Sequence, residues 1–141
     1  MASQAIAFHK KLGAAARQYG RSDEVRSLGA TIESQMDLAY DSLKTLAASK
    51  TQKVGTDVGG WGQGGLGRLA RPGSEGFDHQ FYEVLKQSGT MAYEDYDHYF
   101  RTVTDVTIKE YVRNWYPIFR DYPRVAIRAE APPAQKRKLL N

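Results

Sequence analysis

The side chains best suited to chemistry in this sequence are few: three histidines, His9, His79 and His98, and two acidic clusters, Glu33 with Asp37 and the run from Glu94 to His98. Imidazole beside carboxylate suggests a divalent metal. In a helical bundle a di-iron centre takes a glutamate from each of two helices and a Glu-x-x-His pair from each of the other two. No Glu-x-x-His occurs anywhere in the chain. Glu33 and Asp37 are four residues apart and can share a helix face, but they flank an apolar seam, which favours a solvated face over an inward site. Asp97 and His98 supply two ligands, too few to make a metal site. A weak metal site would have to draw on Glu33, Asp37, His79 or His98. With no cysteine, no nucleophile elbow and no local Ser-His-Asp signature, nucleophilic catalysis has no visible carrier either. No metal ligand, cofactor-binding residue or catalytic residue is assigned.

A second candidate is the stretch from Val54 to Gly76, which holds nine of the thirteen glycines. Gly60, Gly62 and Gly65 fit G-x-G-x-x-G, and so do Gly62, Gly64 and Gly67. A dinucleotide loop needs a strand before the first glycine and a helix directly after the last. Here "TQKVGTDVG" precedes and "RLARPGSEG" follows, so the context is missing. The stretch reads instead as a long link between helices, with Trp61 and Leu66 anchoring it to the bundle or to a partner.

The elements that would position these residues are helices. Val25, Leu28, Ile32, Met36, Ala39, Leu43 and Leu46 recur at steps of three and four, the seam of a long helix. Ser22 or Asp23 caps its start, and it fades near Lys50. Before it, Ile6, Leu12, Ala15, Ala16 and Tyr19 mark a shorter helix ended by Gly20, and "YGRSDE" makes a tight turn. After the glycines, Ser74 is expected to cap a helix carrying Phe77, Phe81, Leu85, Ser88 and Ala92 inward. Thr104 or Asp105 opens a fourth, with Ile108, Val112, Trp115, Phe119 and Tyr122. Pro117 predicts a kink and Pro123 the end of regular structure. The fold class is all-α: a ferritin-like four-helix bundle over residues 1–126, with a long Gly-rich crossover (51–75) between helices two and three and an extended basic tail (127–141).

At 141 residues, 41% hydrophobic and 26% charged, the chain has the size and balance of one globular domain. Its net charge of +4 is largely the tail's, from Lys136, Arg137 and Lys138, so the body lacks the basic face that duplex nucleic acid requires. No apolar run is long enough to span a bilayer. The N-terminus shows no secretory pattern, which predicts a cytoplasmic protein if Met1 is the native start.

The blocks "LGAAARQYGRSDEVRSLGATI", "LKTLAASK", "FDHQFYEVL" and "DVTIKEYVRNWYPIFRDY" together resemble a small bacterial domain-of-unknown-function family often labelled "predicted outer membrane protein". The resemblance implies a ferritin-like four-helix bundle and export to the periplasm or beyond. Phe77, Asp78, Phe81, Lys109 and Pro117 match its pattern. Three positions at which it expects histidines hold Met36, Gly89 and Tyr122, which puts metal or proton chemistry in doubt.

Aromatic residues concentrate after residue 77, and Tyr93, Tyr96, Tyr111 and Tyr116 are candidates for contact with a partner, since tyrosine offers apolar area with a polar tip. The alternative is that these rings pack inside. Lys136, Arg137 and Lys138 add a basic docking segment for an acidic protein partner or, more weakly, for a membrane surface touched peripherally. The reading is therefore a non-catalytic accessory or structural subunit. Its rivals are a metal-dependent ferritin-like redox or stress protein, and a small-ligand binder with a pocket opened between helices by Gly29, Gly89 and Pro117.

Overall fold

The computed structural model describes residues 2–50, 65–69 and 74–132. These form four helices, α1 (Ala2–Tyr19), α2 (Asp23–Ser49), α3 (Phe77–Thr102) and α4 (Val106–Glu130), with a short 3-10 turn at Leu66–Arg68. There is no strand among the described residues. The protein is an all-α four-helix bundle.

Each helix start has a chemical reason. Ser22 caps α2, its hydroxyl accepting from the Val25 N–H at 3.1 Å, and Asp105 caps α4 by accepting from Thr107 and Ile108 at 2.9 and 3.1 Å. Both satisfy first-turn donors that no helical carbonyl can reach. The α1–α2 turn is closed by Arg26, whose guanidinium donates to the carbonyls of Gly20 and Arg21 at 2.8 and 2.7 Å. Gly20 is there for space: a Cβ would sit 2.6 Å from the Ala16 carbonyl and 2.7 Å from Val25.

Two clamps set how the helices run. The Asp78 carboxylate, at the start of α3, accepts from the backbone N–H groups of Arg21 and Ser22 at 2.8 and 3.0 Å, so α3 begins beside the α1–α2 turn. At the opposite end Lys50, just past α2, pairs with Asp105 at 2.5 Å. Helices α1 and α2 are antiparallel, as are α3 and α4, while α2 and α3 run in the same direction. The described part of their link runs along α3: Leu66 and Leu69 pack on the core, and Arg68 hydrogen-bonds Gln87.

The core is filled by the expected seams. Val25, Ile32, Met36 and Ala39 of α2, Phe77, Phe81, Leu85 and Ala92 of α3, and Val112, Phe119 and Tyr122 of α4 are all buried. Each large apolar side chain so buried contributes roughly 1.5–3 kcal/mol. α1 approaches α2 most closely at Gly13 and Gly29, where a Cβ on Gly29 would lie 2.5 Å from the Arg17 nitrogen and the Gly13 carbonyl. Those are backbone atoms that cannot yield, so only glycine permits this separation.

Three expectations are corrected. Ser74 does not cap α3: the capping residue is Gly76, with no side-chain cap, and the Ser74 hydroxyl is buried without a partner. Pro123 does not end the regular structure, because α4 continues to Glu130 through both Pro117 and Pro123. Pro123 is accommodated by Gly89, whose added Cβ would meet its Cδ at 2.7 Å. Residues 127–130, assigned to the tail, are thus the last turn of α4. Most of the Gly-rich link, Trp61 included, and residues 133–141 lie outside the described residues.

Candidate functional site

Two places gather polar or aromatic groups from several helices. The first is an interior layer to which every helix contributes: His9 from α1, Gln35 from α2, Ser88 from α3 and Tyr122 from α4. His9 is fully buried. Its Nδ1 lies 2.8 Å from the Ala5 carbonyl, which can only accept, so Nδ1 carries the proton. Nε2 therefore accepts from the Ser88 hydroxyl at 3.0 Å. Phe119 and Tyr122 hold the ring at centroid distances of 5.2 and 5.3 Å. Burial lowers the His9 pKa to about 4, against a smaller raising effect of the Ala5 bond, so the imidazole is neutral at physiological pH. The Tyr122 hydroxyl donates to Gln35 Oε1 at 2.9 Å, and burial pushes its pKa up.

The second place is the outer face shared by α3 and α4. His79, Glu83, Lys86, Tyr93, Asp97 and Phe100 fall at helical spacing along one side of α3, as do Lys109, Arg113, Tyr116, Arg120, Ile127 and Glu130 along α4. Antiparallel packing brings the two rows together and divides the face chemically. Toward the α3–α4 turn it is aromatic and cationic: Tyr116 stands 5.8 Å, ring to ring, from both Tyr93 and Phe100. Lys109 and Arg113 lie 5.0 and 5.7 Å from the Phe100 ring centre, within cation–π range. All three rings are half-buried.

At the other end the face is ionic. His79 Nδ1 meets Glu130 Oε2 at 2.6 Å, and Glu83 accepts from Lys86 at 3.0 Å. The hydrogen bond that His79 donates to the Glu130 carboxylate is the main cause that raises the His79 pKa; the bond Glu83 accepts from Lys86 is the main cause that lowers that of Glu83. One donor atom from each of His79, Glu83 and Glu130 lies within 4.8 Å of the others. A cleft of about 350 Å³, lined by Glu83, Lys86, Ile127 and Glu130 among others, opens beside them.

The interaction candidates divide accordingly. Tyr93 and Tyr116 are on the outer face, whereas Tyr96 and Tyr111 are interior, 1% and 7% exposed. Their hydroxyls meet at 3.3 Å, and burial pushes Tyr111 up to about 12; these two rings pack in the core. Leu66 is partly buried against the core, as an anchor should be. Trp61, Lys136, Arg137 and Lys138 lie outside the described residues.

Glu33 and Asp37 pair with Arg17 and Lys10 of α1 at 3.0 and 2.6 Å, the solvated arrangement favoured from sequence, and His98 is exposed. Neighbouring helices fill the space beside Gly29 and Gly89: Arg17, Gly13 and Ala16 crowd the first, and Pro123, Tyr122 and Phe119 the second. A groove of about 460 Å³ lies elsewhere, lined by Ile6, Ala7, Lys10, Lys11, Ala14, Glu33 and Tyr40. Met36, Gly89 and Tyr122 are all interior.

Sequence reading missed two groups. His9 belongs to the inward row Ala5, His9, Leu12 and Ala16, spaced four, three and four, a signal that could have placed it in the core. Glu83 lies four residues after His79 on one helix face, but Glu130 was hidden by the expected break at Pro123.

No curated protein and no solved structure matches the chain. A family profile described as "Domain of unknown function (DUF4142)" matches residues 1–126, which spans all of α1 to α3 and most of α4. The chain belongs to the DUF4142 family.

Proposed function

We propose that this protein is a non-catalytic helical-bundle subunit that works by protein contact, with the aromatic and cationic end of the α3–α4 face as its docking surface. The observation that carries the reading is the strip of Tyr93, Phe100 and Tyr116 flanked by Lys109 and Arg113. Half-buried rings offer apolar area at little further entropy cost, because their packing already restricts them. Two cations at the rim favour a partner with acidic groups around an apolar centre. The ferritin-like assignment is part of the proposal: parallel α2 and α3 joined by one long link is the order of ferritin-like bundles. Export, implied by the family resemblance, belongs to it as well.

The test is a native pull-down with mass spectrometry, comparing the wild type with a Lys109→Glu/Arg113→Glu double variant and a Phe100→Ala variant. A partner retained by the wild type and lost by both, with unfolding midpoints little changed, supports the reading. A clean monomer that co-purifies with nothing, or a partner held equally by all three, overturns it. The same experiment reports the mature N-terminus. Deleting residues 131–141 should weaken association with little effect on thermal stability if the basic tail contributes.

A further inference from the structure

The ionic end of the α3–α4 face has a composition that protein contact does not explain. His79 and Glu83 are four residues apart on α3, so both project from the same side of consecutive turns, a chelating pair supplied by one rigid element. Glu130 reaches them from the last turn of α4. The donors are one imidazole nitrogen and two carboxylate oxygens, mutually within 4.8 Å. An ion bound at about 2.0–2.2 Å holds its ligand atoms at most about 4.4 Å apart, so side-chain torsions alone can bring the three onto one ion. The neighbouring cleft of about 350 Å³ leaves further coordination positions open to water.

We propose that His79, Glu83 and Glu130 form a binding site for a divalent transition-metal ion of the zinc class, tying the end of α4 to α3. Of Glu33, Asp37, His79 and His98, on which a weak metal site would have to draw, only His79 belongs to it; Glu83 and Glu130 are its partners. Binding releases the Nδ1 proton of His79 to solvent, replaces the His79–Glu130 hydrogen bond with two metal–ligand bonds, and frees Lys86 from Glu83. The imidazole selects zinc-class ions over magnesium or calcium, which prefer all-oxygen ligands. The site is separate from the docking strip, so either proposal can fail without the other.

Titration calorimetry of the full chain with zinc chloride, near pH 7.5 in a non-chelating buffer, tests it. One equivalent should bind, and His79→Ala and Glu130→Gln should each weaken binding by at least about tenfold, because each removes a ligand and the loss of an outer-shell support alone typically costs that much. Lys86→Gln should tighten binding, since the ammonium competes for Glu83, and affinity should fall as the pH drops and His79 keeps its proton. His98→Ala is the control and should change nothing. All substituted side chains are at or near the surface, and circular dichroism confirms that each variant is folded. Absence of saturable binding, equal affinity in His79→Ala, or magnesium binding as tightly as zinc would each overturn the proposal.

Discussion

His9 and His79 lie on helices that pack against each other, yet their surroundings push them in opposite directions. His9 is enclosed by Phe8, Phe119 and Tyr122, and burial makes its proton costly, lowering its pKa to about 4. His79 is open to solvent beside Glu130, and that carboxylate favours the charged ring. In the interior, low polarity governs and a neutral network results; at the surface, the nearest charge governs, weakly. The contrast separates a device that stabilises the bundle from a cluster free to exchange partners.

The largest expected effect comes from emptying the interior layer. His9→Ala removes a fully buried ring and leaves the Ser88 hydroxyl only the longer bond to the Leu85 carbonyl, which should cost about 4 kcal/mol by analogy with other buried rings. Urea unfolding measures it, and a loss below about 1 kcal/mol would place the ring in a looser setting than described.

Acid should act next. Between about pH 6.5 and 4 the unfolded chain takes up the proton that folded His9 refuses, so stability is complete above the ordinary histidine pKa and falls as pH drops through that window. The loss approaches about 3 kcal/mol, and His9→Gln should flatten the slope. His79 has the reverse sign: its contribution is present below the ordinary pKa and disappears as pH rises through the raised value. Exposure keeps that contribution small, so its direction is best read from the imidazole titration by NMR.

Tyr122→Phe should cost about 1 kcal/mol, one hydrogen bond to a partly buried amide. Glu130→Gln should change stability by less than about 0.5 kcal/mol, as expected of an exposed pair, while returning the His79 titration toward its ordinary value. A stability loss as large for Glu130→Gln as for Tyr122→Phe would erase the distinction between interior and surface drawn from the two histidines.

The sequence made the bundle legible because burial is periodic: the rows of α2, α3 and α4 were readable from apolar spacing, and Asp105 from cap chemistry. Residues that fit no hydrophobic pattern were harder. His9 carries no role in the sequence reading, although its position in a row of alanines and leucine marks it as core. Tyr96 and Tyr111 were undecided because tyrosine suits both interior and interface, and only their meeting across α3 and α4 decides it. Glu130 was lost to a local rule, since proline usually ends a helix, and here Gly89 makes room for Pro123. The link's role could be anticipated from its length, but the Leu66 and Leu69 contacts depend on a tertiary path that spacing does not encode.

The shared direction of α2 and α3 also dictates an order of assembly. Each helical hairpin closes over a few residues, whereas Asp78 reaches Arg21 across 57 positions and His9 reaches Ser88 across 79. Loop closure over such distances is entropically unfavourable until many contacts form together. Hairpins should therefore appear early and dock late. Substitutions in the histidine layer would then accelerate unfolding far more than they slow folding, the kinetic signature of contacts completed after the transition state.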